Sequence, residues 1–390
     1  MAISFVSPSG EVSIQDDLWH VASSSNSGQT DFKFVFDVYY KGQQLVRTKV
    51  FPDPLSGKGY FNASQVVRNE ITFDYFKPLQ GDNICISQPS TSGQIGLTYQ
   101  VSVGEDYSGI TTLNLASGNT TAYNYIPPVF NRRKLKLDNW NNRFLSNRPL
   151  KSLRHNLTDR VLIGVKSLVN GRYFNVRAYN DSNNMIWQES YLYNQTPTGN
   201  PFLQLDVGGT NINNVLFSYQ LTNDVNYWEV GFDNTITEYV RIYNECNNKF
   251  TPILLHFLNS FGMFDTARFQ LVNKLSIDLT RKMYEKRDYS FNGNSVDYYD
   301  TNNVYNESSI NYGSKIDSKY HLTMNYPTDE EYQWLADLII SPQIFAEIDG
   351  NFYGVSIINT NYEYSKNVNN GLRAFEIDIA MNQTRYGYRR

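Results

Sequence analysis

Two cysteines and four histidines in 390 residues leave little room for metal or redox chemistry. Cys85 and Cys246 stand far apart with no CxxC spacing, so both read as isolated, idle thiols, and the sequence does not decide whether they pair. His20, His155, His256 and His321 form no HExxH and no pair at metal-ligand spacing. GxSxG, GxxxxGK[ST] and GxGxxG are absent too. The loop acids Asp53, Asp181 and Asp233 lack the spacing of a calcium loop. Two facing carboxylates of a glycosidase leave no linear signature, so the expectation is limited to this: no recognisable active site, no cofactor, and a chain that is not an enzyme. No run approaches the roughly 20 apolar residues of a membrane span. Met1 to Phe5 lacks the basic start of an export signal, so the chain is expected to be made in the cytoplasm. Charged residues are only 18% of the chain and the net charge is -4, which gives no general reason to expect binding to nucleic acid or acidic membranes.

Aromatic residues are what the chain has in quantity: 30 Tyr and 23 Phe, which point to β structure with wet, aromatic surfaces. The length calls for two or three cores. The fold class read from the pattern is mainly β: two small antiparallel, Ig-like β-sandwiches followed by a mixed β-rich C-terminal domain with one clear helix.

Residues 1–115 read as the first sandwich. Phe32, Phe34, Phe36, Val38 and Tyr40 alternate with Lys33, Val35, Asp37 and Tyr39, the period of a half-buried strand. Lys41-Gly42 turns the chain into a return strand that Pro52 and Pro54 end. A short helix is expected near 62–71, with Asn62 or Ser64 as its cap. Residues 116–157 change character, with three prolines, no sustained period and a basic cluster that includes Arg132, Arg133, Lys134, Lys136, Arg143, Arg148, Lys151 and Arg154. A structureless stretch of about 40 residues is too long for an ordinary loop. The functional reading is an extended arm laying Phe130, Trp140 and Phe144, with Arg132, Arg133 and Lys134, on a neighbouring subunit. A nucleic-acid contact and a plain interdomain linker are the alternatives. Residues 158–250 read as the second sandwich, with a polar turn at 180–184 between two strands. That strand–turn–strand unit echoes residues 32–51, the pattern an old duplication would leave.

Residues 251–390 make the third region, and the most apolar stretch of the chain opens it. Thr251 to Phe269 reads as a buried β-hairpin whose turn, Asn259-Ser260-Phe261-Gly262, needs a positive φ at Gly262. His256 within it reads as a hydrogen-bonded structural histidine. A Tyr/Asn/Ser-rich tract at 281–317 follows, either a long projecting hairpin or an ordered loop. Its Tyr289, Tyr298, Tyr299 and Tyr305 are candidate surface-recognition residues, because tyrosine offers contact area at low entropic cost. A helix starts at Pro327-Thr328-Asp329-Glu330-Glu331, where the carboxylates offset the macrodipole, and Tyr332, Leu335, Leu338 and Ile339 share one face. Strands at 344–348 and 352–358 and a final one at 374–380 complete the pattern.

In pattern and order the chain resembles a family of virion structural proteins of tailed phages that infect Bacteroidetes, including crAss-like phages. The residues that carry the resemblance are Asp37 to Gly42 with Val50-Phe51-Pro52, Phe257 to Thr266, and Leu338 to Pro342. The basic stretch 116–157 is less typical of that family. The resemblance implies a multi-copy tail, collar or tail-hub ring protein located in the virion. Its partners would be itself, as a ring-like homo-oligomer, and other tail or neck proteins, with no membrane. The alternative reading is a glycan-binding, adhesin-like β protein, whose aromatic tract would stack on host sugars. A β-rich hydrolase acting on host envelope polymers is the third.

Overall fold

The computed structural model describes residues 3–8, 12–14, 16–71, 85–87, 96–123, 143–166, 172–193, 202–215, 218–232, 238–245, 249–287, 289–298, 309–325, 327–358, 374–382 and 385–388. Two compact units emerge. The first comprises Met1–Asn247 with His256–Thr266 and Gln333–Pro342; the second comprises Asn248–Leu255, Ala267–Tyr332 and Gln343–Arg390. The chain is mainly β, as its composition indicated.

The first unit begins with β1 (Ile3–Val6), β2 (Val12–Ser13), β3 (Trp19–Ser24), β4 (Lys33–Tyr40), β5 (Gln43–Val50), β6 (Gly59–Asn62), helix α1 (Ser64–Arg68), β7 (Cys85–Ser87), β8 (Gly96–Tyr107) and β9 (Ile110–Tyr123). A three-stranded sheet, β1-β3-β6, and a five-stranded sheet, β2-β9-β8-β4-β5, enclose one core. Ala22 and Phe61 come from the small sheet; Phe34, Phe36, Val38, Leu97, Tyr99, Val101 and Val103 come from the large one. Phe36 and Phe61 stack with ring centroids 5.3 Å apart. Asp37 alternates toward the other face of β4 yet is also buried, and Arg47 answers it with two bonds, Nε at 2.7 Å and Nη2 at 2.9 Å. His20 is buried against Tyr99, Nε2 2.9 Å from the hydroxyl, and burial pushes its pKa down to about 4. The expected helix exists but is a single turn. Ala63 holds its N-cap position without a side-chain bond, while Oδ1 of Asn62 accepts from the Ser64 and Leu18 amides at 3.0 Å each.

A second sandwich follows, built from β10 (Arg143–Phe144), β11 (Leu153–His155), β12 (Leu162–Lys166), β13 (Arg172–Tyr179), β14 (Met185–Tyr193), β15 (Phe202–Asp206), helix α2 (Gly209–Val215), β16 (Tyr227–Phe232) and β17 (Tyr239–Asn244). Its sheets run β10-β12-β15-β7 and β11-β17-β16-β13-β14. Strand β7, from within the first 115 residues, therefore belongs to the second sandwich. Trp228 is fully buried in this core and donates its Nε1–H to the Val207 carbonyl at 3.1 Å. Two short contacts are parallel, β2 with β9 and β11 with β17.

The expected arm needs correction. Strand β9 reaches Tyr123, and residues 143–157 are part of the second sandwich. Phe144, expected on a neighbouring subunit, is 5% exposed and packs in its own chain's core, because β10 pairs with β12 and turns that ring inward.

The third region contributes β18 (Ile253–Leu258), β19 (Phe264–Phe269), β20 (Lys274–Glu285), β21 (Ser290–Asn292), β22 (Ser295–Asp297), β23 (Ser309–Met324), helix α3 (Asp329–Ile340), β24 (Ile344–Ile348), β25 (Asn351–Ile357), β26 (Phe375–Met381) and β27 (Arg385–Tyr388). One large sheet has the order β19-β18-β24-β25-β26-β23-β20, with β27 also against β23. The expected hairpin is β18–β19, buried at every position, and Gly262 has φ +75°. His256 is fully buried with Nδ1 2.9 Å from Thr266 Oγ1. In the second unit Phe375, Ile377 and Ile379 are buried while Glu376 is exposed, as the alternation required. Helix α3 starts on a capping box: the Glu331 amide donates to Thr328 Oγ1 at 3.2 Å and the Thr328 amide to Glu331 Oε2 at 2.9 Å. Its buried set is Trp334 to Leu338, which includes the unexpected Trp334 and Asp337.

Candidate functional site

The surface with the clearest capacity for interaction is the ribbon of β20 and β23. These two strands pair antiparallel from Lys274↔His321 to Glu285↔Ser309. All twelve residues of β20 are exposed, and β23 is its one neighbour in the sheet order. Alternation splits the ribbon into two faces. One carries Leu275, Ile277, Leu279 and Met283, with 53%, 59%, 47% and 55% of their surface exposed. The cross-strand partners of the first three are Tyr320, Ser318 and Ile316.

Farther along β23, the same face holds Leu322, which pairs with Ile377 and is fully buried. The apolar face of the ribbon is thus a continuation of the second unit's core face, carried outward until the described residues of that unit no longer cover it. The opposite face is polar and charged: Lys319 Nζ lies 2.5 Å from Asp278 and Lys315 Nζ 2.6 Å from Asp317, and His321 Nδ1 is within hydrogen-bond distance of Asp378 at 2.7 Å. The neighbouring Asp278 carboxylate, by direct hydrogen bond and by its charge, pushes the Lys319 pKa up. A bulge sits on β23, where Tyr312 is the extra residue between Gly313 and Asn311; β20 itself runs without interruption.

Beyond β20 the chain forms the small hairpin β21–β22. Here Tyr289 meets Phe291 edge-on at 5.5 Å and Tyr298 at 6.1 Å, and Phe291 and Tyr298 remain 67% and 46% exposed. The tract expected to be a projecting hairpin or loop is therefore a hairpin over 274–285 and 309–324, with Tyr289 and Tyr298 between its strands. Tyr299 and Tyr305 lie outside the described residues, as do Phe130, Arg132, Arg133, Lys134, Trp140 and Cys246. Sequence reasoning missed Leu275, Ile277, Leu279 and Met283. Their period-two spacing was the signal that could have found them.

The second notable arrangement is a buried polar cluster in the first unit. Asp265 accepts from Ser146 Oγ at 2.6 Å and from Trp334 Nε1 at 2.8 Å, and burial pushes its pKa up to about 6. Asp337 accepts from Asn147 Nδ2 at 2.9 Å and Ser260 Oγ at 3.0 Å, and burial raises it as well. Arg148, expected on the surface arm, is buried: its guanidinium lies 4.5 Å over Trp334 and donates to the Thr266 carbonyl at 2.8 Å. These bonds tie the residues after β10, the tip of the β18–β19 hairpin and helix α3 together. Each carboxylate is held by neutral donors in a closed interior, an arrangement suited to fixing structure. Among the described residues no group of three or more His, Cys, Asp or Glu could hold a metal ion.

No protein-family model matches the chain, and no curated protein does either. Among solved structures, a trypsin-activated alpha-2-macroglobulin from Escherichia coli aligns over 81% of this chain and 22% of its own, with 9% identity and a TM-score of 0.17. That similarity is too slight to carry an argument about this chain.

Proposed function

We propose that the chain is a structural protein that works by assembling in multiple copies, as a tail, collar or tail-hub component of a phage particle. The observation that carries the assembly reading is the uncovered apolar row on β20. Isolated exposed apolar residues are ordinary, but a row of them along one strand face is the mark of a surface that becomes covered. The virion setting rests on the sequence resemblance over Asp37 to Gly42, Phe257 to Thr266 and Leu338 to Pro342. Stable β modules and a projecting ribbon suit a component that holds neighbours in place. Electron microscopy and sedimentation of the purified chain test this: rings or other defined oligomers are expected, together with the chain's presence in purified particles. A strictly monomeric chain absent from particles would sink the proposal.

A second reading is favoured by the aromatic group at the ribbon's end. Phe291 and Tyr298 offer exposed rings of the kind that stack on sugars, with the half-buried Tyr289 beside them, so recognition of a host glycan is the alternative role. Binding to host polysaccharide that disappears in Tyr298→Ala supports it; no glycan binding by the unsubstituted chain removes it.

A further inference from the structure

We infer that the occupant of the β20 edge is β20 of a second copy, paired antiparallel about a two-fold axis through Leu279. This inference rests on the assembly reading above and names the partner of that same surface.

The argument starts from the edge itself. Natural edge strands are kept from pairing by shortness, by proline, by a bulge or by charged side chains, lysine above all; of these β20 has only the charges Lys274, Asp278, Arg281, Lys282 and Glu285, whose placement restricts the register. Strand β20 runs for twelve residues, contains no proline and leaves the bulge to β23. Among the described residues no strand pairs with its outer edge, so its outward backbone groups and its apolar row are presented together, which is the combination that recruits another strand.

Symmetry and charge then select the partner and the register. A two-fold axis perpendicular to a sheet keeps each face on its own side, so odd-numbered residues of β20 must meet odd-numbered residues of its copy. Centring the pair on Asp278 opposes that carboxylate to itself and Lys274 to Lys282, and like charges directly opposite are destabilising. Centring on Thr280 opposes Lys274 to Lys286 and Leu275 to Glu285. Centring on Ile277 or Ser276 opposes no like charges but pairs only residues 274–280 or 274–278 of the strand, whereas centring on Leu279 pairs residues 274–284. Centring on Leu279 opposes Leu279 to itself, Leu275 to Met283, and Ile277 to the stem of Arg281. On the polar face it sets Ser276 against Lys282 and Asp278 against Thr280, with no like charges opposed. In that register the two apolar rows merge into one stripe. An isologous contact closes on itself. In a ringed particle it would join copies in pairs, and the ring would close through another surface.

Directly opposed residues in an antiparallel pair have Cα atoms about 4.5–5.5 Å apart, which is within disulfide range. Leu279→Cys should therefore form a covalent dimer with itself on mild oxidation. Leu275→Cys should not link to itself but should link to Met283→Cys when the two variants are mixed. The unsubstituted chain, oxidised in parallel, accounts for links through Cys85 or Cys246. Ile277→Lys, on an exposed position, should weaken self-association by about 100-fold or more without moving the unfolding midpoint measured below the association concentration. An oligomer that forms without the Leu279→Cys link and survives Ile277→Lys overturns the pairing and leaves the assembly reading standing. A Leu275→Cys self-link overturns the register. A chain that stays monomeric at every concentration overturns both.

Discussion

Strands β8 and β20 are each twelve residues long, each belong to a long antiparallel hairpin, and each alternate apolar and polar residues, yet they meet opposite fates. Leu97, Tyr99, Val101 and Val103 of β8 are at most 1% exposed, because the three-stranded sheet of the same sandwich lies over them. Leu275, Ile277, Leu279 and Met283 of β20 are each about half exposed or more. Alternation therefore encodes that a strand has an apolar face, and says nothing about which molecule supplies the cover. The first hairpin is a folding element. The second is proposed as an assembly element made from the same pattern.

The sharpest way to break this comparison is to put one charge on each strand. Val101→Lys places an ammonium in a fully buried core position without a partner and should cost more than about 4 kcal/mol, enough to unfold the first sandwich. Ile277→Lys should leave stability within about 0.5 kcal/mol of the parent and remove self-association. Chemical denaturation and sedimentation read the two outcomes. A large loss of stability in Ile277→Lys would mean that β20 is already covered within its own chain.

A gentler pair of substitutions sharpens the same contrast. Leu97→Ala removes a fully buried side chain and should cost about 2–5 kcal/mol. Leu279→Ala should cost the isolated chain less than about 0.5 kcal/mol and weaken only the dimer. Denaturant midpoints measured below and above the association concentration separate the two terms.

How much of this was legible in the sequence follows from what kind of information each feature needs. The β4 strand, the β18–β19 hairpin with Gly262, the structural role of His256 and the final strand could be read directly, because each depends on local period or local turn chemistry. The boundary of the arm could not. Phe144 and Arg148 lie in a proline-containing basic stretch whose composition suggests solvent. What buries them is pairing with β12 and packing on Trp334, partners distant in sequence. The same holds for Asp265 and Asp337, whose donors Ser146, Asn147, Ser260 and Trp334 come from three separate segments. The apolar row of β20 was legible in principle.

Acid titration probes the buried side of the comparison. Burial raises Asp265 to about 6 from an ordinary carboxylate value near 4. Between those values the fold holds a proton that the unfolded chain has released, so this group's contribution to stability is present below about pH 4 and is lost as pH rises to about 6. A shift of about two units corresponds to about 3 kcal/mol at most. His20 has the opposite sign. Its pKa is depressed to about 4, so its contribution is present above about pH 6.5 and is lost as pH falls. Asp265→Asn should remove the first slope and leave the second, visible in urea midpoints followed from pH 4 to 7. The two slopes oppose each other between pH 4 and 6, so the stability of Asp265→Asn should rise with pH across that window more steeply than the parent's; an unchanged pH profile would show that Asp265 is not the group responsible.

The smallest effect expected comes from two turns that share a backbone requirement and differ in their surroundings. Gly262 connects β18 and β19 at φ +75°, within a hairpin buried on both strands, and its amide donates to the Asn259 carbonyl at 3.0 Å. Gly293 connects β21 and β22 at φ +61°, and a Cβ there would meet nothing within 4 Å. An alanine at either site takes a left-handed conformation that costs about 1–2 kcal/mol. At Gly262 the strain is held by the packed strands on either side, so Gly262→Ala should lower global stability by about that amount, and Gly262→Val by more. At Gly293 a three-residue exposed pairing can open locally instead, so Gly293→Ala should leave the global denaturation midpoint where it was and show only in the exchange of the hairpin's own amides. Equal losses at the two turns would mean that the hairpin of Tyr289, Phe291 and Tyr298 is as firmly built into the fold as the one that carries His256.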